Sequence, residues 1–172
     1  MDKDDKSIVL DTNVLIDGCS KERKWTRDCE EIIRKIDNGL LQFGVDAGGE
    51  ILNEYEKHLK KFKGSIFALG LWGIVKRERY QPAGKDHKIK PYEPIPENKV
   101  ENLLKMGFHD KDIIFVRIAP QTRCKLIISS DENSFLNKKY IGWLKKELKI
   151  ITKPPYELEE IEKIVYNSLK GR

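Results

Sequence analysis

The chain has 172 residues, the usual span of one domain, so a single domain over residues 1–172 with one core and one site is the expectation. With 39% hydrophobic and 35% charged residues it is apolar enough to bury that core, which argues against wholesale disorder. No apolar run approaches the roughly 20 residues of a membrane span, and the charged start from Asp2 to Lys6 leads into an apolar run broken at Asp11 and Asn13, unlike a secretory leader. A soluble, cytoplasmic protein with no membrane partner is expected.

Ile8, Val9 and Leu10 form a continuous apolar run inside Ser7 to Asp11, the mark of a buried strand. Arg27 to Asp37 carries Ile32, Ile33 and Ile36 on one face and ends at Asn38-Gly39, a helix with its stop signal. A second strand is expected over Leu40 to Val45. Leu52, Tyr55, Leu59 and Phe62 then recur at helical spacing across residues 49–62. Ser65 to Val75 reads as an apolar helix. Gln81 to Pro96, with Pro82, Pro91, Pro94 and Pro96, excludes a central strand or helix and reads as an extended loop. Lys125 to Ser129 and Lys149 to Thr152 are the third and fourth strands, and Leu158, Ile161, Val165 and Leu169 make one stripe of a closing helix. Strands alternating with helices predict an α/β fold with a mainly parallel sheet.

Cys19, Cys29 and Cys124 are odd in number and unrelated in spacing, so neither a disulfide framework nor a zinc site is indicated. His58, His87 and His109 lack partners at ligand spacing, and no role is expected of them. The net charge is only +5, but between Lys57 and Lys90 ten basic residues face two acidic ones, a balance of +8. Lys76, Arg77, Arg79, Lys85, Lys88 and Lys90 in that stretch are the candidate contacts to a polyanion, the alternative being a solvated face.

Four acids fall where an α/β sheet would bring them together. Asp11 ends the first strand, Glu54 lies early on the helix after the second, Asp112 opens a helix, and Asp131 follows the third strand. Sites in open α/β sheets form at the carboxyl ends of the strands. Carboxylates gathered in one cleft repel each other, and a divalent cation resolves the conflict; hard oxygen donors suit Mg²⁺ or Mn²⁺. Glu50, one turn before Glu54, and Asp110, two residues before Asp112, compete for these places, while Asp17 reads as a surface or helix-start residue.

Five segments in order resemble the PIN-domain nucleases. They are IVLDTNVLID (Ile8 to Asp17), EILNEY (Glu50 to Tyr55), DIIFVRIA (Asp112 to Ala119), IISSDENSF (Ile127 to Phe135) and KIITKP (Lys149 to Pro154). The resemblance implies a twisted parallel sheet between two helical layers, a three-layer sandwich, and a metal-dependent endonuclease acting mostly on RNA, with DNA also open. It gives the catalytic, metal-holding roles to Asp11, Glu54, Asp112 and Asp131, and it makes Thr12, Asn13 and Ser129 supporting groups. Asn133 stands where many members carry another acid, so a second metal is less expected than a first. Small family members are often toxins neutralised by a protein antitoxin, whereas larger ones process or degrade RNA or act in defence, and the length of this chain leans slightly away from the toxin role; members commonly pair, so an antitoxin or inhibitor and a second copy stand among the partners the resemblance leaves open. Relative to the compact family pattern, residues 64–98 form an insertion. Two other readings stand beside the nuclease: a PIN-like module that binds nucleic acid or protein without cutting, and a haloacid-dehalogenase-type phosphatase, which Asn13 disfavours by replacing its general acid/base.

Overall fold

The computed structural model describes residues 5–20, 23–62, 66–80 and 88–170, with side chains at all of these except 66, 67 and 77–80. Ile8, Val9 and Leu10 are wholly buried, as an apolar run covered on both faces requires. They belong to β1 (Ser7–Leu10), the centre of a five-stranded sheet completed by β2 (Gln42–Asp46), β3 (Ile89–Tyr92), β4 (Leu126–Ile128) and β5 (Ile151–Lys153). The order is β3-β2-β1-β4-β5, and every neighbouring pair is parallel. Ile8 lies beside Phe43 of β2, and Leu10 beside Ile128 of β4.

Eight α-helices connect or flank these strands among the described residues: α1 (Thr12–Gly18), α2 (Thr26–Asp37), α3 (Glu50–Leu59), α4 (Ile66–Tyr80), α5 (Glu101–Lys105), α6 (Ile113–Ile118), α7 (Lys138–Leu148) and α8 (Leu158–Lys170). Helices on both faces of the sheet make a three-layer α/β/α sandwich. Each long helix buries the stripe its spacing specifies: Ile32, Ile33 and Ile36 on α2, Ile51, Leu52, Tyr55 and Leu59 on α3, Ile161 and Val165 on α8. Cys19, Cys29 and Cys124 are free, buried thiols. Burial pushes Cys19 and Cys124 up to about 11, too high for a reactive thiolate at neutral pH. No described helix is long and apolar enough to cross a membrane.

Two expectations need correction. The proline-rich segment is not wholly an extended loop, because residues 89–92 add the outer strand β3. The ladder to β2 runs through alternate residues, with Phe43 N–H donating to the Lys88 carbonyl and Ala47 N–H to that of Tyr92. Pro91 falls between them and turns its donorless nitrogen to the open edge, where a strand tolerates proline. Within the expected insertion, Ala68, Leu71 and Val75 of α4 are buried in the main apolar cluster. Asp17 is neither a surface nor a helix-start residue; it is buried in the last turn of α1 and pairs with Arg23 at 3.1 Å.

Candidate acidic site at the sheet edge

β1 and β4 end side by side, the Asp11 N–H donating to the Ile128 carbonyl at 2.9 Å. Asp11 caps α1 as it leaves the sheet and is 2% exposed. Its Oδ1 accepts from Asn13 N–H at 3.4 Å, and its Oδ2 from Asn13 Nδ2 at 3.3 Å and Ser129 Oγ at 2.6 Å. Ser129, the first residue after β4, also accepts the Asp131 N–H at 3.0 Å. Asp131 Oδ1 then takes the N–H groups of Asn133 at 2.8 Å and Ser134 at 3.2 Å, and the Ser134 hydroxyl donates to Asp112 Oδ2 at 2.8 Å. A relay of short polar side chains thus ties Asp11, Asp131 and Asp112 together across 120 residues of chain.

Glu54 is delivered by α3, which is fixed at both sides. Asp46, at the end of β2, accepts the Glu50 and Ile51 N–H groups at 2.8 and 2.7 Å and caps the helix. Gly49, with φ of 81°, makes the left-handed turn between them. Tyr55, wholly buried, donates its hydroxyl to the Leu10 carbonyl, the residue before Asp11. Its neighbour Glu54 is held from its own helix by His58 Nε2 at 2.7 Å and Lys57 Nζ at 3.7 Å.

Asp11, Glu54, Asp112 and Asp131, with Thr12 and Asn13, line one cavity of about 180 Å³, whose remaining wall includes His58, His109 and Lys111. Ser129 sits behind it, bonded to Asp11. Glu50 and Asp110 do not line it, and Asn133 faces an adjoining chamber instead. Burial pushes the Asp11 carboxyl up to about 7, with the charge of Asp112 adding to it; the bonds from Ser129 and Asn13 only partly oppose the rise. Asp112 is raised as well, first by burial and then by the charges of Asp131 and Glu54, against the Ser134 bond and the nearby His109. The acids therefore share one electrostatic site. Thr12 Oγ1 is buried there with no hydrogen-bond partner, an orphan group of the kind a ligand or ordered water satisfies. Among the described residues no three or more His, Cys, Asp or Glu side chains converge closely enough to enclose a metal ion.

Among the expected polyanion contacts, three side chains are described and each has a partner. Lys88 pairs with Asp37 at 2.5 Å and Lys90 with the buried Asp5 at 3.4 Å, while Lys76 sits 4.2 Å over the Trp72 ring. Lys85 and the side chains of Arg77 and Arg79 lie outside the described residues. Among described cations beside the acids, Lys57 begins the basic stretch and the others come from other segments. Lys57 and Lys111 line a cleft of about 300 Å³ that shares Glu54 with the acidic cavity. Arg23 and Lys24 line a chamber of about 670 Å³ on the opposite side, which shares Asn13 and Asp131. A further cavity of about 930 Å³, against Cys19, Arg27 and Phe62, does not reach the acids.

Sequence reasoning missed His58, Lys111 and Ser134. The signals were faint: Glu54 and His58 are four apart on one helix face, and Asp131 and Ser134 share one turn. No family model matches the chain, nor does any curated protein or solved structure.

Proposed function

We propose that this chain is a metal-dependent endonuclease of the PIN type that hydrolyses phosphodiester bonds in RNA. The observation that carries this reading is the convergence of four carboxylates on one small cavity at the carboxyl edge of β1 and β4, the most buried of them held near pH 7. Oxygen-only donors fit Mg²⁺ or Mn²⁺, which bind through one or two carboxylates and keep most of their water. That habit suits carboxylates that line one cavity without enclosing an ion directly, among the described residues. Asp11, with Asp112 and Asp131, would hold the ion directly or through water, and Glu54 would hold a coordinated water. A cation so bound supplies a nucleophile by acidifying water and offsets charge on the attacked phosphate. Asn13 and Ser129 fix the Asp11 carboxylate, Ser134 fixes that of Asp112, and His58 fixes Glu54. RNA in the cytoplasm, with a protein inhibitor or a second copy as regulator, belongs to the same proposal.

The test is cleavage of labelled single-stranded RNA and matched DNA by the full chain in Mn²⁺, Mg²⁺ or EDTA, with Asp112→Asn alongside. Metal-dependent cutting that the variant loses, with RNA preferred, is expected. Cutting that survives in the variant would overturn the site. One observation favours a second reading, a PIN-like binding module: Glu54 is already engaged by His58 and Lys57. Retention of RNA without cutting in any metal would select it.

A further inference from the structure

The acidic cavity, about 180 Å³, is smaller than the roughly 300–1,000 Å³ of typical ligand sites. It has room for an ion and a phosphate, and the attached nucleosides must lie outside. The adjoining chamber of about 670 Å³ is nucleotide-sized, and Asn13 and Asp131 form walls of both spaces. A strand whose phosphate meets the acids therefore has a continuous way into it.

The walls carry three chemistries. Lys24 and Arg23, on the turn between α1 and α2, bring cations, each paired with an acid of the same wall, Arg23 with Asp17 at 3.1 Å and Lys24 with the exposed Glu132 at 3.5 Å, pairs that a phosphate must displace. Trp25 brings an aromatic surface, with Lys24 Nζ 4.6 Å from its ring centroid and the half-exposed Tyr156 bracing it at 5.2 Å. Asn133, on the opposing turn, has its backbone N–H committed to Asp131, but its side-chain amide has no hydrogen-bond partner among the described residues. That amide presents one acceptor and two donors at the mouth, matching the edge of an unpaired base. Cation, aromatic ring and free amide within one chamber are the elements by which proteins take single-stranded RNA.

We propose that this chamber seats the unpaired nucleotide next to the scissile phosphate, with Lys24 and Arg23 facing its backbone, Trp25 against its base and Asn133 reading the base edge. The assignment rests on the nuclease reading of the acidic cavity, and it makes Asn133 a specificity residue at the place where the family resemblance expects a further acid. A duplex does not fit, because its bases are already stacked and paired.

The test uses binding, so it does not depend on cleavage. Fluorescence anisotropy in EDTA, with the full chain, reads affinity for labelled single-stranded oligo-A, oligo-U, oligo-C and a matched duplex, over a series of salt concentrations. Wild type is expected to prefer one single strand and to bind the duplex about tenfold more weakly. Trp25→Ala should weaken the preferred strand by about tenfold, and Lys24→Ala should lower the salt slope by about one. Trp25 is partly buried, so the deciding variant is Asn133→Ala at an exposed position, whose fold circular dichroism checks. It should level the preference among the three homopolymers. An undiminished preference in Asn133→Ala overturns the proposal, and so does a wild type that binds no single strand. Cleavage in Mn²⁺ is scored separately, so loss of the nuclease reading and loss of this chamber's role give different results.

Discussion

Replacing Asp11 by Asn should stabilise the metal-free protein, and by an amount that depends on pH. Burial is the main reason the folded chain favours the acid form of this side chain, and the charge of Asp112 adds to it. Between the ordinary value of 3.8 and about 7, the folded chain holds a proton that the unfolded chain has released. More protons bound in the folded state means that stability falls as pH rises through this window. Each pH unit in it is worth about 1.4 kcal/mol, so ionised Asp11 costs about 4 kcal/mol above pH 7 relative to pH 4. Asparagine carries no charge into the site and keeps an acceptor for the Ser129 hydroxyl. Urea unfolding in EDTA, read at pH 4.5 and pH 8, should therefore show Asp11→Asn close to wild type at the lower pH. At the higher pH it should be up to about 4 kcal/mol more stable. Adding Mn²⁺ at pH 8 should stabilise wild type and leave the variant unmoved, because the ion offsets a buried negative charge that only wild type carries there. Equal stabilities at pH 8, or a gain that does not grow with pH, would refute the reasoning.

Ser134→Ala removes the donor that fixes Asp112, and metal-dependent cleavage should fall about 10- to 100-fold with the fold intact; unchanged cleavage would mean that Asp112 is positioned without it. Lys90→Ala should cost about 1–2 kcal/mol of stability by uncovering the charge of buried Asp5. Its RNA salt slope should match wild type, and a flatter slope would return Lys90 to the polyanion surface.

The centre of this fold was legible because its signals are local. Ile8, Val9 and Leu10 are apolar without interruption because β1 is covered on both faces, and Asp11 stands out because it breaks that run. What escaped depends on neighbours the chain does not announce. A proline excludes a strand only where both its edges are paired, so β3 could be foreseen only by knowing that it is the outer strand of the described sheet. Helix α1 is seven residues long and capped by the very carboxylate that belongs to the site, too short to develop a periodic face. Counting charge along residues 57–90 found a real excess, but Lys88 meets Asp37 and Lys90 meets Asp5 from distant parts of the sequence. Of the cations that do flank the acids, Lys57 opens the counted stretch, Arg23 and Lys24 sit in a short basic segment that the count passed over, and Lys111 lies between two aspartates with no local excess to notice.

Where those cations stand bears on the chemistry proposed for the cavity. A lysine against Asp11 would have lowered its pKa and offset the cost of burying it. No fixed cation is among the causes acting on Asp11; Asp112 has only the nearby His109 on that side of the balance, and burial outweighs it. Fixed positive charge is displaced to the flanking spaces, with Lys57 and Lys111 in one and Arg23 and Lys24 in the other. Those cations have partners of their own, Arg23 with Asp17, Lys24 with Glu132 and Lys57 with Glu54, so in the nuclease reading it is Asp11 that stays short of a counter-charge at the point of reaction. A permanently paired carboxylate could not exchange its partner for a hydrated ion without breaking a salt bridge. Asp11 has no such bridge to break, so its affinity for a divalent cation is limited by its own proton and should rise with pH until that proton is lost, near pH 7.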